Sequence, residues 1–196
     1  MTQNCRCWIA YITNRLKLSL ASIVLLAACS SDNSQQAKER NPAPCPSAIV
    51  LEEAARQVVF DGEPSLDSIE WSAEIQDLSL TCRYFGDKPI NAEIDFSIAV
   101  GKGPAAKTDE HEFRYFVAVT RRNREVIAKK TFAKKVDFGS NNSIKVFDES
   151  VDDIVIPRAR EQISGANFEI VLGLAVTRDQ AIYNRSGKSL KFPDLK

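Results

Sequence analysis

The sequence predicts an all-β fold, an antiparallel β-sandwich, on three observations. Ile90 to Val100 alternates without a break. Ile90, Ala92, Ile94, Phe96, Ile98 and Val100 share one parity, and Asn91, Glu93, Asp95 and Ser97 share the other. Successive strand side chains point to opposite faces, so this is a half-buried strand in a sheet with one packed and one wet face. About seven segments of strand character follow at short spacing, and no long helical period separates them, which is the pattern of a two-sheet sandwich. A small antiparallel barrel is the competing architecture.

The elements follow in chain order. Ala48 to Phe60 reads two ways: Glu52 to Gln57 would tolerate a helix, whereas Ile49-Val50-Leu51 and Val58-Val59-Phe60 have strand character. In Ile69 to Tyr84 the apolar parity runs through Ile69, Trp71, Ala73 and Ile75, then switches to Leu78, Leu80 and Cys82. A strand changes its buried face only by an extra residue, so a bulge near Asp77–Leu78 is required. Phe113 to Thr120 and Glu125 to Phe138 flank the short polar connector Arg121 to Arg124, which predicts a hairpin. Ser143 to Ile156 is a strand region that the acidic stretch Asp148 to Asp153 interrupts. Phe168 to Thr177 is apolar on both faces and predicts a central, doubly covered strand. Thr177 with Gln180 three residues later is a capping box, predicting a short helix through Asn184.

Leu26-Ala27-Ala28-Cys29 directly follows the apolar run Leu16 to Leu25, and it resembles the lipobox of bacterial lipoproteins. Residues 1–28 hold Arg6, Arg15 and Lys17 and no acidic residue, in the order of a signal peptide. The apolar run falls short of the ~20 residues that a bilayer-spanning helix needs. The resemblance implies removal of residues 1–28, a diacylglyceryl thioether on Cys29 and an amide-linked acyl chain on its new N-terminus. Such multiple acylation gives stable membrane attachment, where one chain gives marginal binding. In Gram-negative lipoproteins an aspartate after the cysteine commonly marks inner-membrane retention. Ser30 at that position therefore implies the outer membrane, facing the periplasm. Residues 29–44 are the lipidated cysteine and a polar tether with a reach of roughly 20 Å. Residues 45–185 form the sandwich domain, and 186–196 a C-terminal tail.

The chain has 196 residues, with 26 basic and 26 acidic. Loss of the signal removes three basic residues and leaves 23 against 26, a formal −3. That balance, without a polybasic stripe, argues against nucleic acid and against binding to anionic lipid through charge. Of the five cysteines, Cys5 and Cys7 lie in the signal and Cys29 takes the lipid. Cys45 and Cys82 remain as an even pair in an oxidising envelope, which predicts one disulfide; two separately buried thiols are the alternative.

No catalytic residue set emerges. His111, the single histidine, sits among Asp109, Glu110 and Glu112 and reads as a solvated loop residue. Neither the lipase elbow, the zinc-protease helix motif, the P-loop nor the dinucleotide fingerprint occurs. Asp148, Glu149, Asp152 and Asp153 could offer carboxylates to calcium, yet they lack the spacing of a calcium loop and read as a solvated edge. No metal or cofactor is expected. The basic set on the hairpin, Arg121, Arg122, Arg124, Lys129, Lys130, Lys134 and Lys135, reads as edge protection before acidic docking. Trp71, Tyr84, Phe113, Tyr115 and Phe116 read as core before pocket.

Ser164-Gly165-Ala166-Asn167-Phe168 resembles the corner that leads into a late strand of immunoglobulin-like or fibronectin-like domains. Phe168 stands where those domains often carry a hydrogen-bonding tyrosine. CPSAIVLEEAARQVVF, SLTCRYF, FRYFVAV and FEIVLGLAVTRDQAIYNR resemble segments of small proteobacterial lipoproteins without assigned activity, over nearly all of the mature body. The function expected is a non-enzymatic, membrane-anchored binding or assembly module with an envelope protein partner. The alternative is a carrier for a small apolar or lipid ligand held between the sheets, and an enzyme ranks third.

Overall fold

The computed structural model describes residues 44–139 and 142–189. The signal, Cys29 and nearly all of the tether therefore lie outside the described residues, as does most of the tail. Eight strands are present among the described residues: β1 (Ser47–Val50), β2 (Arg56–Phe60), β3 (Ile69–Arg83), β4 (Ile90–Lys102), β5 (Glu110–Arg121), β6 (Val126–Asp137), β7 (Ile144–Ile156) and β8 (Phe168–Leu174). Among the described residues one helix, α1 (Arg178–Arg185), follows them. The strands form two four-stranded sheets, in the orders β1-β8-β5-β6 and β2-β3-β4-β7. Neither sheet closes on itself and no strand is shared. The fold is a β-sandwich, and the barrel alternative is set aside.

The core lies between the sheets and is built from the alternation visible in the sequence. Ile90, Ile94 and Ile98 of β4 face Ile170, Leu172 and Leu174 of β8, all with no solvent exposure. Each side chain buried this fully contributes roughly 1.5–3 kcal/mol of hydrophobic free energy. Trp71, Tyr84, Phe113 and Tyr115 are buried within this cluster, as their strand spacing predicts. Phe116 points to the outer face, where the Lys129 ammonium lies 4.1 Å from its ring centre.

The parity switch in β3 is a bulge: pairing with β4 shifts register between Ile75 and Leu78. Beyond it Leu78, Leu80 and Cys82 turn towards the core. The ambiguity of residues 48–60 resolves into β1, a 3-10 turn at Glu52–Ala54, and β2. The turn carries the chain from one sheet to the other. β1 lies parallel to β8, and every other strand pair is antiparallel.

The acidic stretch does not interrupt its strand. β7 runs unbroken from Ile144 to Ile156, with Asp152 and Asp153 forming a bulge opposite Glu93. Asp153 takes φ 56°, a left-handed conformation that aspartate tolerates better than most residues. The extra residue accounts for the lost alternation, because it shifts the apolar parity from Phe147 and Val151 to Ile154 and Ile156.

β8 is central and covered on both faces, though it ends at Leu174. On its outer face a Cβ at Gly173 would lie 2.8 Å from Phe116 and 2.9 Å from Ala54, so only glycine fits. The capping box forms: the Thr177 hydroxyl accepts from the Gln180 amide at 3.2 Å, and Gln180 Oε1 accepts from the Thr177 amide at 2.8 Å.

Cys45 and Cys82 stand at disulfide distance, Cα–Cα 5.8 Å, tying the entry to β1 to the end of β3. Next to them the Tyr84 hydroxyl donates to the Pro44 carbonyl at 3.0 Å and accepts from the Gly165 amide at 3.2 Å. Tyr84 thus supplies the corner hydroxyl that Phe168 lacks. A Cβ on Gly165 would sit 2.5 Å from the Pro44 oxygen, so the close approach needs glycine.

Candidate functional site

A sandwich of two open sheets leaves four edges, and this chain treats its two sides differently. On one side stand β1 and β2, with α1 laid across β2 and the 3-10 turn that precedes it. Asn184 Nδ2 donates to the Glu53 and Arg56 carbonyls at 2.8 and 2.6 Å, and Gln180 Nε2 reaches the Val58 carbonyl at 3.4 Å. The Tyr183 ring meets Phe60 edge-on at 5.6 Å, and Arg185 pairs with Glu53 at 2.8 Å. The Arg56 and Val58 carbonyls of β2 are thus taken up by helix side chains, which covers that part of the edge.

The other side is formed by β6 and β7, the terminal strands of their sheets, and no helix among the described residues covers it. Half of it is fastened. Lys134 of β6 turns inward and pairs with Glu149 of β7, and the Lys145 ammonium bonds the Asp137 carbonyl. Tyr115 donates its hydroxyl to Glu149 at 3.1 Å. Burial, with the Glu149 charge next in weight, raises the Tyr115 pKa far above its ordinary value and keeps the phenol a proton donor.

Beyond Glu149 the two strands part. β6 carries an extra residue, Ile127, where its pairing with β5 shifts register between Val119 and Thr120, and β7 carries its bulge at Asp152–Asp153. Bulges bend a strand and sharpen its twist, and here both edges bend at the same end. The result is a groove of about 390 Å³, within the rough 300–1,000 Å³ range of ligand sites. Its floor is Val117, Val119, Ala128, Phe132, Val151 and Ile154. Its rims carry Lys129 and Lys130 on β6 and Asp152 and Asp153 on β7. Val155, 56% exposed, also lines it, and Val126, 59% exposed, stands on the outer face at the same end of β6. Among the described residues none of the four rim charges takes part in an ion pair. The Lys130 ammonium instead lies 4.9 Å from the Phe132 ring centre.

The basic set of the hairpin divides accordingly. β6 is an edge strand, as the lysines suggested. Val126 does not share the face of Phe132 and Val136, because the Ile127 bulge pairs it with the outward Thr120. Lys134, on the inward parity with Phe132 and Val136, answers Glu149 across the sandwich.

The acidic set divides too: Asp148 faces out, Glu149 faces the interior, and Asp152 and Asp153 form the bulge. Among the described residues no group of three or more His, Cys, Asp or Glu side chains could hold a metal.

The solvated-loop reading of His111 is corrected. It lies on β5, half-buried, with its ring stacked on Trp71 at 4.6 Å and 10°. Its charged neighbours misled: Glu110 and Glu112 point out, and His111 alone of the three turns in. Burial lowers its pKa below the ordinary 6.5, against the opposing pull of Glu70 and Glu112. His111 and Cys82 sit at opposite ends of the sandwich, so they form no joint site. The groove itself was missed in the sequence, because Ile127 and the two aspartates looked like noise in otherwise regular strands.

No protein-family model, curated protein or solved structure compared with the chain matches it.

Proposed function

We propose that this protein is a lipid-anchored lipoprotein of the bacterial cell envelope, held at the outer membrane by Cys29. Its sandwich acts as a non-enzymatic binding or assembly module. The observation that carries the binding role is the contrast between the two sides of the sandwich. On one, α1 covers the β2 edge, while the other presents, among the described residues, two uncovered edge strands, an exposed Val155 and an apolar groove. Exposed aliphatic surface beside an unpaired edge invites a partner. The anchor rests on the Leu26 to Cys29 motif and the signal-like segment before it.

Two experiments test this reading. Replacement Cys29→Ser is expected to abolish incorporation of a labelled fatty acid and move the protein out of the membrane fraction. Unchanged labelling and fractionation would refute the anchor. Crosslinking in intact cells, followed by purification of the lipidated protein, is expected to return a reproducible envelope protein. The apolar floor of the groove also favours a second reading, a carrier for a small apolar or lipid ligand. Native mass spectrometry showing a retained lipid and no protein partner would put that reading first.

A further inference from the structure

We infer that the β6–β7 face pairs with the same face of a second copy of this chain. The inference rests on the binding-module reading and names the partner. Lys134 stands level with Glu149 across the open side. Four residues back along β6, Lys130 stands across the groove from the Asp152–Asp153 bulge of β7. A two-fold axis along the groove lays the β6 rim of one copy on the β7 rim of the other. Lys130 of each copy then meets Asp152 and Asp153 of the other, and the contact is made twice, as an isologous interface requires.

Three features fit a second copy better than other occupants. Across the groove Lys130 faces Asp152 and Asp153, none of them in an ion pair among the described residues, a self-complementary pattern that would work against an anionic amphiphile through its aspartates. Val155, 56% exposed, lines the groove beside its apolar floor, so the same rotation sets apolar surface against apolar surface. The bulges at Ile127 and Asp152–Asp153 break the regular edge ladder, which favours contact through side chains over addition of a strand. Anchoring both copies to one membrane would raise their effective concentration and allow a small interface to suffice.

The test uses full-length chains co-expressed with two different tags, capturing one and detecting the other. Lys129→Glu with Lys130→Glu makes the β6 rim acidic. Asp152→Lys with Asp153→Asn makes the β7 rim basic, asparagine being chosen because position 153 needs a left-handed backbone. Wild-type copies are expected to co-capture. Either variant paired with itself sets like charges together and should lose co-capture about tenfold or more. One copy of each variant restores opposite charges at both contacts and should recover it, which also shows that both variants fold. Absence of wild-type co-capture, indifference to the reversals, or failure of the mixed pair would overturn the dimer. A monomer that instead holds another envelope protein at this face would overturn the dimer while leaving the binding-module reading intact.

Discussion

Tyr84 satisfies two backbone groups with one hydroxyl, at the point where the entry to β1 meets the corner before β8. Replacement Tyr84→Phe leaves the buried Gly165 amide without its acceptor, and should cost about 1–3 kcal/mol in denaturant unfolding with little change in m-value. A loss near zero would show that water takes over the amide. His111 makes a pH-dependent prediction. Its folded-state pKa is lowered by burial against Trp71, so the unfolded chain takes up the proton more readily. Stability is therefore fullest above pH 6.5, the ordinary value, and falls as pH drops through the lower folded-state value. Trp71 emission, followed through unfolding at pH 7.5 and 5.0, should report that slope. Replacement His111→Phe, which keeps the stack and removes the proton, should flatten it. Neither role was legible in the sequence. The corner motif pointed to position 168 for the hydroxyl, and the charges around His111 hid the inward parity it shares with Phe113 and Tyr115.

At the scale of elements, Arg158 joins two loops. Its guanidinium donates to the Lys88 carbonyl at 2.6 and 2.8 Å, to Glu161 at 2.8 Å, to Ile163 at 3.1 Å and to the Gly86 carbonyl. It also lies 4.8 Å from the Tyr84 ring centre. A lysine ammonium cannot reproduce this planar fork. Arg158→Lys should therefore destabilise by roughly 2 kcal/mol and speed amide exchange in residues 85–89 and 158–164 more than in β4. Uniform protection in both loops would contradict the assignment. The elements with clean alternation, β4 and the first half of β3, were readable from period alone. The Asp77–Leu78 bulge was readable as well, because apolar residues on both sides recorded the switch in parity. The Asp152–Asp153 bulge was not, since Lys145 and Glu149 occupy inward positions of β7 and mask the alternation before the switch.

At the scale of the whole molecule, the two sheets are held by the core, by the Lys134–Glu149 pair across the open side, and by the Cys45–Cys82 link. The cysteines close a separation of 37 residues, worth about 3–4 kcal/mol by chain-entropy arithmetic. Reduction, or Cys82→Ser, should lower unfolding stability by that order, and no change would place the two thiols outside a disulfide. The sandwich architecture was legible because it needs only strand periods and spacing. The asymmetry of its sides was not, since it depends on where α1 folds back and on two bulges that coincide only in three dimensions. That asymmetry is the centre of the functional account. It is tested most directly by a photo-crosslinking residue placed singly at Val155 on the open side, or at Ser79 on the outer face of β3, in the full-length protein in intact cells. The account predicts a discrete crosslinked species from Val155 and little from Ser79. Equal yields from both positions, or none from Val155, would contradict it.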